Sequence, residues 1–447
     1  MKWDLLSFFL DPVLQGPTIA SIFMCFSAAL IGVVVFLRRQ SLIGESLSHA
    51  AYPGVVIGVY LAGLLELGYN DIVSMSFCIL GTGAFVAFVG LMMILWMTRR
   101  MRIKDDAALC FVLSVFFGIG LLIASSIQFI FPSLYQQAQG FLYGQTATMT
   151  LGHALFFCLQ AATVSIVFFL LNKEIQLVAF DSEYAKSLGI NIYFIEAGIM
   201  LMTIFAIVIG MRSVGVVLMS AMLIAPAAAA RQFTHRFGPM LILAGTFGAL
   251  SGFFGNVLSY EGSVYLSRED PSNRLSLPTG PMIVLVASLI CVFALFFSPE
   301  QGIFFERLKA ITFRHTCLLE NILKSIKRYG KGEVHIDEIA KYQSISKGHL
   351  RFILFRLSLQ GFLKKNEKGA YTLTHEGDRW ASRIIRLHRL WEVYLADYLK
   401  VAANRVHKSA EEMEHIITDE LEMELTALLN DPKEDPHQQP IPPKELI

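Results

Sequence analysis

At 447 residues, with 54% hydrophobic and only 16% charged side chains and a mean hydropathy of +0.55, the chain is too apolar for a soluble enzyme and is expected to be an integral membrane protein. The formal net charge of +1 excludes little, because it sums a membrane half and a polar half with different needs. Eight of the eleven histidines lie at or after His315 and five of the six cysteines before it, so the two halves face different chemistry.

The first apolar run, around Ile19 to Leu37, ends in Arg38-Arg39 with no cleavage-like site, and is expected to be a retained span rather than a signal peptide. A bilayer core needs about 20 apolar residues per helix. Runs near 17–37, 48–65, 72–98, 107–128, 152–172, 191–211, 213–230, 239–258 and 279–297 predict nine spans. Arg38-Arg39, Arg99 to Lys104, Lys173 with Lys186, Arg231 with Arg236, and Arg307 with Lys309 follow the odd-numbered spans, which puts the N-terminus outside and the tail in the cytosol. The outer loop Glu261–Leu277 mixes Arg268 and Arg274 with Glu261, Glu269 and Asp270, so its basic bias is weak. Cys25, Cys78, Cys110, Cys158 and Cys291 sit in or beside apolar runs without paired spacing, as packed thiols do.

Charge inside a span is costly, about 2.5–3.5 kcal/mol per group on insertion scales, and therefore informative. Glu45 and His49 stand four residues apart, on one helical face, where a carboxylate and an imidazole can ligate a divalent cation. The spacing equally suits two groups that satisfy each other in the bundle. Glu196 reads as an interfacial residue, and Met219 and Met222 as packing. Between spans five and six, Asp181 and Glu183 open a short helix that Lys186 and Gly189 close, a shape suited to docking a partner. No G-x-x-x-x-G-K-[ST] phosphate loop, H-E-x-x-H or nucleophile elbow occurs, so the chain is expected not to be an enzyme.

Beyond the linker 299–314 the periodicity becomes that of soluble amphipathic helices. Leu318, Leu319, Ile322, Leu323 and Ile326 form one stripe before the turn Tyr329-Gly330-Lys331-Gly332. Helices are expected over Ile336–Tyr342 and Ser346–Gln360, joined by Gln343-Ser344-Ile345, with Ser346 as N-cap. Two short strands around Glu367-Lys368-Gly369 complete a winged helix-turn-helix. Ser346, Lys347, His349 and Arg351, with Arg356 further along, would face DNA; a protein-interaction domain is the alternative. Glu411, Glu414 and His415 share one helical face, with His388 one turn before Glu392 and His407 one turn before Glu411. Such a set can build an N/O metal site, and a charged helix face would look similar.

Four segments carry a resemblance: Phe36 to Ala50, Lys104-Asp105-Asp106-Ala107-Ala108, Phe180 to Ile190, and Gly215 to Arg231. In this order they resemble the permeases of metal-ion ABC importers for zinc, manganese or iron. The resemblance implies an all-α polytopic membrane domain over 1–298, with Glu45 and His49 on the metal path, although Asp is usual where Glu45 stands. It also implies that Asp181, Glu183, Lys186 and Gly189 couple to a separate ATP-binding subunit, and that an extracytoplasmic metal-binding protein and a second permease subunit complete the importer. Residues 315–443 resemble the diphtheria-toxin-repressor family of metal-dependent regulators through the helix-turn-helix, Leu387 to Glu392 and Glu411 to Leu421. That resemblance implies a DNA-binding domain over 315–380 and a metal-binding, dimerisation domain over 381–447. By the same resemblance Cys317, Glu320, His388, Glu411, Glu414 and His415 hold the regulatory metal, and Glu392 and His407 an ancillary one. Glu411 matches the manganese type, and Cys317 stands where members carry Met or Asp, so the set leaves Fe(II) and Mn(II) open, with Zn(II) behind them. Pro440-Ile441-Pro442-Pro443 resembles the linker before a further small domain in some members, and none is expected here.

The expected function is therefore a divalent-metal permease subunit of a bacterial inner membrane, fused to a cytosolic repressor that meets operator DNA as a dimer. Proteolytic release within the linker is expected to free that repressor. A membrane sensor without transport, and a permease whose tail gates transport without binding DNA, are the alternatives.

Overall fold

The computed structural model describes residues 6–65, 72–130, 132–269, 276–299, 302–329, 333–343, 346–367, 369–401 and 403–444. The chain divides into two compact units, Met1–Phe305 and Glu306–Ile447. Outside the described residues lie the turn residues 330–332 and 344–345, Lys368, and the outer-loop residues Asp270 and Arg274.

Among the described residues of the first unit, nine helices are long and apolar enough to cross a bilayer. They are α1 (Pro12–Leu37), α2 (Ser41–Leu64), α3 (Ile72–Arg99), α4 (Asp105–Ile130), α5 (Leu151–Leu170), α6 (Ile192–Val214), α7 (Val216–Phe233), α8 (Phe237–Glu269) and α9 (Thr279–Phe297). α1 and α2 are central, each with 72% of its apolar window buried, against 28% for α4, α5 and α9. The outer spans expose large side chains such as Phe129, Phe169, Phe77 and Leu122. A surface of that kind is stable only against hydrocarbon.

Small residues set the central packing. A Cβ on Gly32 would collide with the Leu223 carbonyl, so α1 and α7 touch backbone to backbone there. Gly144 and Gly215 both have positive φ and pack against the backbone of 213–214 and 142–144, pinning the helix Pro132–Tyr143 to the junction of α6 and α7. Thr146 Oγ1 closes the same junction by donating to the Ser213 carbonyl at 2.8 Å. Met219 and Met222 are fully buried in the core, as packing requires.

α10 runs over Ile303–Tyr329 without a break, all but its first three residues in the second unit. The stretch read as a linker, 299–314, is thus helical from Ile303, because nothing between Gly302 and Tyr329 interrupts the helical pattern. α11 (Ile336–Gln343) and α12 (Lys347–Leu359) follow, then β1 (Leu363–Lys365) and β2 (Tyr371–Leu373), paired antiparallel with Leu363 opposite Leu373. Ile322, Leu323, Ile326, Ile339, Leu350, Ile353, Leu354 and Leu357 make the core of this winged arrangement. Ser346 occupies the N-cap position of α12, but its hydroxyl makes no capping hydrogen bond.

α13 (His375–Asp397) is capped by Thr374, whose hydroxyl accepts from Gly377 N at 3.1 Å. α14 (Ala403–Met413) and α15 (Asp419–Leu428) pack on it. Arg386 on α13 is buried against Glu422 at 3.1 Å and donates to the Pro442 carbonyl at 2.9 Å, while Ile441 packs with Leu390 and Val393. The proline-rich end is therefore part of this fold.

Candidate metal centre

In the membrane unit Glu45 and His49 lie on α2, and His49 is 8% exposed with its ring edge on Phe117. His49 Nδ1 lies 2.9 Å from the Glu45 backbone carbonyl rather than from its carboxylate. A carbonyl only accepts, so Nδ1 carries the proton and Nε2 keeps its lone pair, the usual preparation of a metal-binding imidazole. Among the described residues the Glu45 carboxylate has no hydrogen bond or ion pair. Glu196 is committed elsewhere, in an ion pair with Arg38.

On the segment expected to dock a partner, Asp181 caps the helix Ser182–Ser187 by accepting from Tyr184 N at 2.9 Å. Lys186 and Glu183 pair at 2.7 Å, both exposed, and Gly189 ends the segment at φ +80. The helix is exposed and pre-formed.

The second unit holds the denser cluster, built where α10, α13 and the end of α14 converge. α13 turns His388 and Glu392 onto its buried face, at 1% and 2% exposure, an expensive place for polar groups unless each finds a partner. His388 Nε2 lies 3.2 Å from Glu392 Oε1 and 3.0 Å from His407 Nδ1, and His407 Nδ1 lies 2.9 Å from the same carboxylate. Donor atoms of His388, Glu392 and His407 all fall within 4.8 Å of one another. Glu411 stands at the rim, 3.6 Å from His407 Nε2.

On its other side His388 Nδ1 meets Glu414 Oε2 at 2.5 Å. Burial pulls the His388 pKa down, but the hydrogen bonds to Glu392 and Glu414 outweigh it and leave a net rise. The Glu392 carboxyl, penalised by burial yet bonded by both imidazoles, is held down at about 2. His415 Nδ1 bonds to Glu320 Oε2 at 2.6 Å, which leaves Nε2 as the lone-pair nitrogen. That Nε2 is buried, has no hydrogen-bond partner among the described residues, and stands 3.6 Å from Glu414 Oε1. An orphaned buried imidazole nitrogen facing a carboxylate oxygen fits a divalent cation. Burial and the neighbouring Glu320 push the Cys317 thiol up.

His388, expected with the regulatory group, shares its Nε2 side with Glu392 and His407 of the ancillary pair, because all three project into one gap between α13 and α14. Glu320, expected in the same group as His415, meets it at Nδ1. Lys324 did not figure among the expected residues at all. Its ammonium donates to both Glu414 oxygens, at 2.7 and 2.6 Å, and lies 3.3 Å from His388 Nδ1. The signal was there: Cys317, Glu320 and Lys324 recur at i, i+3 and i+7, one helical face.

Of the residues expected to face DNA, Lys347, His349 and Arg351 are exposed in the first turns of α12. Lys347 pairs with Asp337 at 2.6 Å, and Arg356 Nη1 approaches His315 Nε2 at 3.5 Å. The same exposed face carries Phe352, Phe355 and Leu359, at 58%, 61% and 72% exposure.

Comparison with known proteins finds one family within each unit. Residues 11–298 match the ABC 3 transport family, and residues 374–443 match the iron dependent repressor, metal binding and dimerisation domain. A probable metal transport system membrane protein of Chlamydia trachomatis is 34% identical over 446 residues, 97% of each chain. The manganese transport system membrane protein MntC of Bacillus subtilis is 30% identical over 379 residues, 84% of this chain and 82% of that one. Among solved structures, PsaBC from Streptococcus pneumoniae in complex with Fab matches with a TM-score of 0.56 at 24% identity, over 67% of this chain and 98% of that one, a likeness of fold.

Proposed function

Because the chain belongs to the ABC 3 transport family, as the permease subunit of an importer whose ATPase is a separate subunit, we propose that it moves Mn(II) or Fe(II) inward and senses that metal with residues 306–447. The metal is cargo in the membrane unit. His49 Nε2 and the Glu45 carboxylate would receive it along the path, with the Glu45 carbonyl fixing the imidazole tautomer. The exposed helix Ser182–Ser187, with Asp181 and Gly189 at its ends, is the element we assign to the ATPase contact. The chain's relation to MntC favours manganese, and the hard carboxylates Glu45, Glu392, Glu411 and Glu414 suit it.

The observation that carries the sensor is the convergence of His388, Glu392 and His407 within 4.8 Å in a gap between two helices, the first two buried and His407 exposed at its edge. A divalent ion would cross-link α13 to α14 there, and through His415 and Glu414 to α10. Glu414 holds Nδ1 of His388 and Glu320 that of His415, so the second nitrogen is the one each imidazole would give the metal, His388 after losing the proton that it shares with Glu392. Fixing α10 against α13 and α14 orders the helix that leads into the winged part. Ser346, Lys347, His349, Arg351 and Arg356 would then meet operator phosphates and base edges, with a dimer of the cytosolic unit presenting two copies of α12. Cleavage within 299–314 would free this unit from its anchor, and full-length product alone on blots of metal-replete cells would refute that step.

The decisive transport experiment is ATP-dependent Mn(II) accumulation by vesicles holding the chain, its ATPase and its binding protein; no accumulation defeats the transport reading. For the sensor, Mn(II)-dependent, salt-sensitive retention of the upstream DNA of the metal-uptake genes is expected, and equal retention of unrelated DNA counts against an operator. Phe352, Phe355 and Leu359 support a second reading, in which the unit docks on protein and gates transport; Mn(II)-dependent inhibition of transport without DNA retention would favour it.

A further inference from the structure

Lys324 is an unexpected neighbour for residues that would hold a divalent ion. It comes from α10, one turn beyond Glu320, and is 4% exposed. A lysine ammonium is strongly hydrated and is almost never buried without a paired charge. Its pair is Glu414, itself 2% exposed, whose two oxygens accept at 2.7 and 2.6 Å.

Glu414 therefore has two claimants. On one side stands the Lys324 ammonium. On the other stands His415 Nε2, 3.6 Å from Oε1, enclosed and unpartnered among the described residues. A divalent ion seated between Glu414 and His415 would lie within a few ångströms of a monovalent one. Like charges that close repel strongly where water is excluded. Carboxylate and imidazole can serve the metal fully only if the ammonium leaves.

We propose that Lys324 is a built-in competitor for the metal: its ammonium holds Glu414 until a divalent ion displaces it, so Lys324 sets the metal level at which the Glu414–His415 seat fills. The exchange is one of charges only, a monocation leaving the carboxylate as a dication arrives. It breaks a tie between α10 and the end of α14 and replaces it with another through the metal. The His388–Glu392–His407 seat lies on the far side of His388 from Lys324 and, among the described residues, holds no lysine ion pair, so it fills at lower metal. The inference rests on the metal-sensing reading and deepens it.

The test uses the full chain in detergent, in a His49→Ala background so that the transport path adds no signal, titrated with Mn(II) and followed by the loss of free-ion electron paramagnetic resonance. Two classes of site are expected, and Lys324→Met should tighten the weaker class at least tenfold while Lys324→Arg leaves it within about threefold. An unchanged or weakened affinity in a Lys324→Met protein that elutes as the parent does would overturn the inference. A second readout needs no substitution at Lys324. Amine acetylation followed by mass spectrometry should mark Lys324 severalfold faster with saturating Mn(II) than after chelation, and equal rates overturn the proposal even if Lys324→Met fails to fold. Failure of the broader reading looks different: the His49→Ala chain and its Lys324→Met form would both bind no Mn(II).

Discussion

His388 bridges two buried carboxylates, and the two pKa shifts around it act in opposite directions with pH. Its raised pKa means that the stability gained from protonation is present below the ordinary histidine value, 6.5, and is lost as pH rises through the higher folded value. Glu392 is depressed from 4.5 to about 2, so its contribution is present above 4.5 and is lost as pH falls through about 2. Chelator-treated protein is thus expected to be most heat-stable between those limits, at about pH 5–6, with a lower unfolding midpoint on either side. Mn(II) must replace a proton on His388, so the rise in midpoint that it confers should grow with pH; a gain independent of pH would remove His388 from the ligand set. In the membrane unit, His49→Ala should leave expression and ATPase assembly intact while cutting ATP-driven Mn(II) uptake at least tenfold. Uptake at the parental rate would take His49 off the path.

At the scale of elements, the crossing of α1 and α7 depends on the absence of a side chain at Gly32, where a Cβ would meet the Leu223 carbonyl. Gly32→Val should cost about 1–3 kcal/mol through overpacking, read as a lower midpoint and aggregated protein in gel filtration. α12 poses the sharper question, because one exposed face carries both the cationic set and Phe352, Phe355 and Leu359. Phe352→Ser with Phe355→Ser should leave the fold intact, since neither ring belongs to the core formed by Leu350, Ile353, Leu354 and Leu357. If α12 reads DNA, retention should survive this change and be lost with Arg351→Ala and Lys347→Ala. The reverse pattern, with metal-dependent inhibition of transport abolished, would mark the face as a protein contact.

At the scale of the whole molecule, permease and sensor are separate compact units on one chain, each with its own core. Residues 1–305 expressed alone should therefore support ATP-dependent uptake at a rate within about threefold of the full chain's, measured in the same vesicles. What the truncated chain should lack is metal-dependent control of the uptake genes, read as constant transcript level across Mn(II) concentrations.

The nine apolar helices among the described residues, the change of periodicity after residue 298, the short strands of the wing and the family of the membrane half were all legible in the sequence, because each follows from local periodicity or from motifs read in order. That Glu45 and His49 share a helical face follows from their spacing, but the contact of His49 Nδ1 with the Glu45 backbone carbonyl does not, since it depends on which atom the ring meets. The helical stretch 303–314 was hidden behind an expected linker, although no breaker interrupts it. That His388 gathers with Glu392 and His407, and that the buried Lys324 holds Glu414, were decided only by tertiary structure. Spacing fixes which side chains share a face of one helix; where the faces of α10, α13 and α14 meet, and which charge is left facing which, depends on how three helices pack.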